Sequence, residues 1–175
     1  ILINKVVEPP PGKHLLISDD PFRDYNILTN HFRPFEIAKH AISPTASIGE
    51  GTMIQPGAFI GNHVVIGRNC LIHSNVSIYD HCVIGNDCII HANTVIGSDA
   101  FYFKKYPEGS YVKMYSCGRV VVHDRVEIGA SCTIDKGVSG DTVIGEGTKL
   151  DNQVHIGHDT VVGRNCLFAA QVGIA

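Results

Sequence analysis

The chain carries ten histidines in 175 residues, and imidazole is the side chain whose ordinary pKa puts its charge change near neutrality. Two of them, His155 and His158, flank Ile156 in the run Asp151-Asn152-Gln153-Val154-His155-Ile156-Gly157-His158-Asp159, where nearly every outward position can hydrogen-bond. An outward imidazole in such a setting suits a general base, taking a proton from an attacking amine or hydroxyl. A lone surface histidine is more often inert, so a catalytically silent scaffold fits the same residues. His63 and His81, and likewise His73 and His91, are pairs separated by eighteen positions. Zinc needs three or four convergent ligands. Neither pair has a matching third, so no metal site is predicted, and a zinc-dependent hydratase is the lesser alternative.

The elements that must position these residues follow from a period of six. Ile42, Ile48, Ile54, Ile60, Ile66, Ile72, Ile78, Ile84, Ile90 and Ile96 recur without a miss, and a small or β-branched residue stands four places after each, as at Ala58, Val64, Cys70 and Val76. Neither a helix nor a flat strand has that period, and a fixed repeat is read before local propensity. A six-residue unit cannot bury its own apolar side, so each must supply one short strand and one corner of a solenoid whose core is completed by neighbouring coils. Three units close a coil of eighteen residues. Ile42, Ile60, Ile78 and Ile96 then share an interior ladder, Cys70 lies over Cys88, and the histidine pairs stack on outer faces. The reading is mainly β, a parallel β-helix over residues 41–175.

The repeat is broken twice. Residues 97–119 lose the period and gather Phe101, Tyr102, Phe103, Tyr106, Tyr111 and Tyr115. Long loops extruded from a regular scaffold are usually functional or disordered, and the aromatic content predicts an active-site or interface role. The period resumes at Val122, Ile128 and Ile134, but ten residues separate Ile134 from Ile144, a four-residue insertion at a corner. Gly137 and Gly140 are expected to supply unusual backbone angles there. The count then holds through Leu150, Ile156, Val162, Phe168 and Ile174.

Residues 1–40 read as the remnant of a small α/β domain with a linker. Ile1–Ile3 and His14–Ile17 predict two strands joined through a turn at Pro9–Gly12. Asp20 is a candidate N-cap and Pro21 a first helical residue, with a helix ending at Arg33-Pro34. The chain begins without methionine and stops just after a repeat has opened, so it reads as a piece of a longer protein, truncated at its C-terminal end.

A net charge of −3 gives no electrostatic case for nucleic acid or an anionic membrane surface. No apolar run approaches the roughly twenty residues that span a bilayer. Of the six cysteines, Cys70, Cys82, Cys88, Cys132 and Cys166 occupy the small inward slot of the repeat, and no C-x-x-C pair exists. They read as small core hydrophobes, which fits a reducing, cytoplasmic compartment.

Several motifs resemble the UDP-3-O-acylglucosamine N-acyltransferases of lipid A biosynthesis. They are Gly118–Ala130, Thr133-Ile134-Asp135-Lys136-Gly137, Asp141–Gly145, the run Asp151 to His158, and Gly97-Ser98-Asp99-Ala100-Phe101-Tyr102-Phe103. The residues before 41 resemble the end of that family's uridine-binding domain. The resemblance implies a left-handed β-helix of hexapeptide repeats and a homotrimer with clefts between subunits. It also implies transfer of a 3-hydroxyacyl group from acyl carrier protein to the 2-amine of a UDP-3-O-acylglucosamine. His158 falls on the family's catalytic histidine. Asp151, Asn152, Gln153, His155, Phe101 and Tyr102 are expected at the substrate groove, with the carrier's phosphopantetheine thioester as co-substrate and no other cofactor. The chain departs from the family at Ala100 and Tyr102, where glycines are usual, and at Lys136, where arginine is common. His155 stands where glutamine is frequent, and Asp159 where asparagine is. His155-Ile156-Gly157-His158-Asp159 leans toward the related UDP-N-acetylglucosamine O-acyltransferases, which remain the alternative together with an N-acyltransferase paralogue acting on another nucleotide sugar.

Overall fold

The computed structural model describes residues 1–175. Contacts divide them into two units, one of residues Ile1–Phe35 with Phe103–Tyr115 and the other of Glu36–Tyr102 with Ser116–Ala175. No helix is long and apolar enough to cross a membrane.

The larger unit is a parallel β-solenoid. Most repeats contribute a two-residue strand whose second residue is the inward aliphatic, and the strands form three parallel sheets of six. The first sheet contains Ser47–Ile48, Val65–Ile66, Val83–Ile84, Arg119–Val122, Asp141–Ile144 and Val161–Val162. In the second, Met53–Ile54, Leu71–Ile72, Ile89–Ile90, Glu127–Ile128, Lys149–Leu150 and Leu167–Phe168 are aligned. Phe59–Ile60, Ser77–Ile78, Val95–Ser98, Thr133–Asp135, His155–Ile156 and Gly173–Ile174 make the third. Ladder partners stand eighteen apart in the uninterrupted coils, as in Ile60↔Ile78. Across the insertion they stand twenty-two apart, as in Ile134↔Ile156.

The interior is the predicted one. Ile60, Ile78, Ile96, Ile134 and Ile156 have no solvent exposure, and Cys70, Cys82, Cys88 and Cys132 are buried among them. Each such isoleucine stabilises the coil stack by about 1.5–3 kcal/mol through burial alone. Ile42 pairs with Ile60 but stays 42% exposed, because it lies at the end of the ladder with a neighbour on one side only. At most corners one residue turns the chain with positive φ, among them Asn69, Asn75, Asp87 and Asn93. Short polar side chains tolerate that left-handed region better than others do. His63 and His81 occupy such turns as well, and their rings stack with centroids 5.0 Å apart; His73 and His91 stack at 4.9 Å.

Corners from the first to the second sheet, and from the second to the third, keep the six-residue count in every coil. Both interruptions fall where the third sheet hands over to the first, after Val95–Ser98 in one coil and after Thr133–Asp135 in the next. The following coil passes that same corner at Gly157-His158-Asp159. Gly137 and Gly140 do not adopt positive φ there. The absent side chain of Gly137 serves close approach instead: a Cβ there, or on Gly118, would meet the carbonyl oxygen of Gly140.

In the smaller unit Asp20 caps the helix Pro21–Phe32, accepting from the N–H of Arg23 at 3.2 Å, with Pro21 in the first turn as predicted. Strands Leu2–Ile3 and Leu16–Ile17 pair in parallel, so the Pro9–Gly12 stretch belongs to a crossover and is not a hairpin turn. The aromatic excursion forms an antiparallel hairpin, Phe103–Lys105 with Tyr111–Lys113. This hairpin belongs to the same unit as the helix, whereas residues 36–40 belong with the solenoid. Asn26 explains the pairing of helix and hairpin: its Nδ2 donates to the Lys113 carbonyl and its Oδ1 accepts from the Tyr115 N–H, both at 2.9 Å. Lys104 adds an ion pair to Asp20 at 3.1 Å and lies over the rings of Phe22 and Tyr106.

Candidate active site

His158 sits on the interrupted edge, and its imidazole is held from two sides. Nδ1 is 2.8 Å from Asp159 Oδ2, and the ring of Tyr102 meets the imidazole edge-on with centroids 6.0 Å apart. Asp159 is itself fixed: its Oδ2 accepts from the N–H of Val138 at 3.1 Å, and its own N–H donates to Thr142 Oγ1 at 2.9 Å. Burial pulls the Asp159 carboxyl upward, but the hydrogen bonds from His158 and Val138 outweigh it and hold the pKa below the ordinary 3.8. The carboxylate is therefore ionised near neutrality and accepts the Nδ1–H of His158. This fixes the tautomer. Nε2 has no protein partner, and the side chain is 31% exposed, so that a lone pair is left for the substrate, as a general base requires.

His155 is engaged differently. Its Nδ1 is 2.8 Å from Thr133 Oγ1, its partner in strand register, and Nε2 lies 4.0 Å from Asp135 Oδ2. Asp135 is 7% exposed and takes a hydrogen bond from Ser98 Oγ at 2.5 Å. With Nδ1 bonded and Nε2 facing a carboxylate, His155 has no nitrogen left as free of protein groups as Nε2 of His158. Lys136 pairs with Asp99 at 2.7 Å, joining the two irregular segments above His158.

The remaining expected residues divide. Tyr102 is brought to His158, while Phe101 beside it is 86% exposed. Asp151, Asn152 and Gln153 lie at the neighbouring corner, beyond the strand His155–Ile156. There Asn152 Oδ1 accepts from the Ala130 N–H at 2.7 Å, Gln153 Oε1 accepts from Gln171 Nε2 at 2.9 Å, and Asp151 Oδ1 accepts from the Asn152 N–H. A surface concavity of about 540 Å³ next to that corner is lined by Asp151, Lys149, Glu127 and Phe168, and does not include His158. No three His, Cys, Asp or Glu side chains converge as metal ligands.

Sequence reasoning assigned no role to Asp135, Ser98 or Thr142. Counting twenty-two places across the insertion would have paired Thr133 with His155. Nothing comparable reaches Ser98, because the register shifts at Gly97, whose φ is +91°.

The profile "Bacterial transferase hexapeptide (six repeats)" matches residues 45–78, 63–98 and 141–175, about half of the chain. The chain belongs to the bacterial hexapeptide transferase family. Among curated relatives of this family member, a UDP-3-O-acylglucosamine N-acyltransferase of Bradyrhizobium sp. strain BTAi1 is 54% identical over 151 residues, covering 77% of this chain and 42% of the relative. The enzyme of the same name from Rhizobium meliloti strain 1021 is 54% identical over 80 residues, covering 46% of this chain and 23% of its own length. This hexapeptide transferase chain thus spans well under half the length of the curated relatives it matches. Among solved structures, the UDP-N-acetylglucosamine acyltransferase of Bacteroides fragilis superposes with a TM-score of 0.68 at 31% identity, over 80% of this chain and 53% of that one.

Proposed function

We propose that this chain carries the catalytic corner of an N-acyltransferase of lipid A biosynthesis, which moves a 3-hydroxyacyl group from acyl carrier protein to the 2-amine of a UDP-3-O-acylglucosamine. The observation that carries the proposal is His158 with Nδ1 held by an ionised Asp159 and Nε2 without a protein partner. As the amine nitrogen attacks the thioester carbonyl, Nε2 takes the amine proton. The tetrahedral adduct then expels the pantetheine thiolate, which recovers a proton from the imidazolium as the amide forms. No cofactor beyond the carrier's phosphopantetheine thioester is used. His155 orients the acceptor sugar, with Asp135 and Thr133 behind it, and Phe101, Asp151, Asn152 and Gln153 contact substrate from the margins. The enzyme works in the cytoplasm as a homotrimer, the outward polar faces of the solenoid meeting neighbouring subunits. The names of the relatives at 54% identity support the acceptor.

A second reading, O-acylation of UDP-N-acetylglucosamine, is favoured by the His-Ile-Gly-His-Asp run and by the superposition on the Bacteroides fragilis acyltransferase. Supplying 3-hydroxyacyl carrier protein with each acceptor separately decides between them. The proposal expects an amide on UDP-3-O-acylglucosamine. An ester on UDP-N-acetylglucosamine would transfer the assignment to the O-acyltransferase, and product from neither would remove both acceptors.

A further inference from the structure

Tyr102 stands at the end of a short segment that the solenoid pins at every step. Gly97 enters it with φ +91°, where an added Cβ would press on Cys82 Sγ. Ser98 is bound to buried Asp135 and Asp99 to Lys136. Ala100 is 1% exposed, and its N–H faces Ser116 Oγ at 3.3 Å. The Tyr102 N–H then donates back to the Ala100 carbonyl at 2.9 Å, a tight reversal that swings the side chain outward. Its ring ends against His158 at an interplanar angle of 68°. An edge-to-face aromatic contact is directional, and a segment so anchored loses little further freedom in making it.

We propose that Tyr102 is a positioning residue for the base, its ring adding a second contact to the imidazole of His158 beside the bond to Asp159 so that Nε2 keeps one direction. Asp159 alone fixes Nδ1 but leaves the ring free to rock about that hydrogen bond. The tyrosine edge removes this motion and excludes water from one flank. The role belongs to the aromatic ring and not to the hydroxyl. The proposal rests on His158 being the base.

The test compares Tyr102→Phe and Tyr102→Leu in the full protein by two readouts. In the substrate-free protein, the Cε1–H resonance of His158 reports the ring-current field of its neighbour: it should move in Tyr102→Leu and stay near the wild-type position in Tyr102→Phe. In transfer assays Tyr102→Leu should lower kcat about tenfold to a hundredfold with KM within about twofold, and phenylalanine should recover kcat to within about threefold. A raised KM at unchanged kcat would make Tyr102 a substrate contact and overturn the proposal. Equal losses in both variants would assign the effect to the hydroxyl and overturn it too. If His158→Ala retained transfer while the resonance behaved as expected, the contact would stand and the base assignment would fall.

Discussion

At the corner between the second and third sheets the repeat keeps its count in every coil, and its polar groups hold the stack together. Thr94 Oγ1 donates to the Gly129 carbonyl at 2.6 Å and accepts from the Cys132 N–H, Asn152 accepts from Ala130, and Gln171 bonds Gln153. At the corner between the third and first sheets the count fails in two successive coils. The displaced backbone then serves as a source of donors: Val138 in the insertion donates to Asp159, which orients His158. Regular stacking pairs like with like and leaves little pointing outward with a purpose. Interrupted stacking brings groups from different coils onto one edge and leaves an imidazole nitrogen open. The same six-residue unit therefore builds a scaffold where it is kept and a site where it is broken.

The largest difference between the corners should appear on removing the group behind the base. Asp159→Ala deletes a charge-assisted hydrogen bond of about 1.5–3 kcal/mol, so kcat should fall roughly tenfold to a hundredfold. Asp159→Asn, which still offers an oxygen to Nδ1–H, should stay within about fivefold. Steady-state transfer kinetics measure both. If the alanine variant were as active as the wild type, the dyad would be ornamental and the comparison would lose its content.

Two buried threonines sharpen it. Thr94→Val and Thr142→Val each strip the partner from a backbone N–H, that of Cys132 or of Asp159. Each should cost about 1–3 kcal/mol of stability in denaturant titration. Only Thr142→Val should also lower kcat, by several-fold, because only it loosens the residue behind His158. Equal kinetic losses would show that stacking in general, and not this corner, supports the chemistry.

The smallest effect is one of pH. The Asp159 pKa lies below 3.8 in the folded chain, so its contribution to stability is fully present above the unfolded value and is lost as pH falls through the folded one. The stability difference between wild type and Asp159→Asn should be flat from about pH 7 to pH 5 and shrink below about pH 4. A difference that already declines near pH 6 would mean that the carboxylate is not held ionised by these bonds.

Much of this architecture was legible because the period is a counting rule. The isoleucine ladder, the inward cysteines, the stacked pairs His63–His81 and His73–His91, and the helix cap at Asp20 all follow from spacing or local backbone chemistry. Counting fails across the excursion, so it missed the union of hairpin and helix through Asn26, which depends on contacts some ninety residues apart in sequence. It also misjudged Gly137, whose value lies in how closely the Gly140 carbonyl approaches it and not in its own backbone angle. His158 was legible as a histidine in a polar run. That Val138 anchors the Asp159 beside it and that Tyr102 meets its ring was not, since the first contact needs the insertion and the second follows a register shift.

The most direct test of the base assignment is kcat for His158→Ala beside wild type on 3-hydroxyacyl carrier protein and UDP-3-O-acylglucosamine, with thermal midpoints measured on the same samples. The side chain is outward and its loss opens no core cavity, so the midpoints should agree within about 2 °C while kcat falls by about 10²–10⁴. Transfer within tenfold of wild type by a variant of unchanged stability would contradict the assignment of His158 as the base.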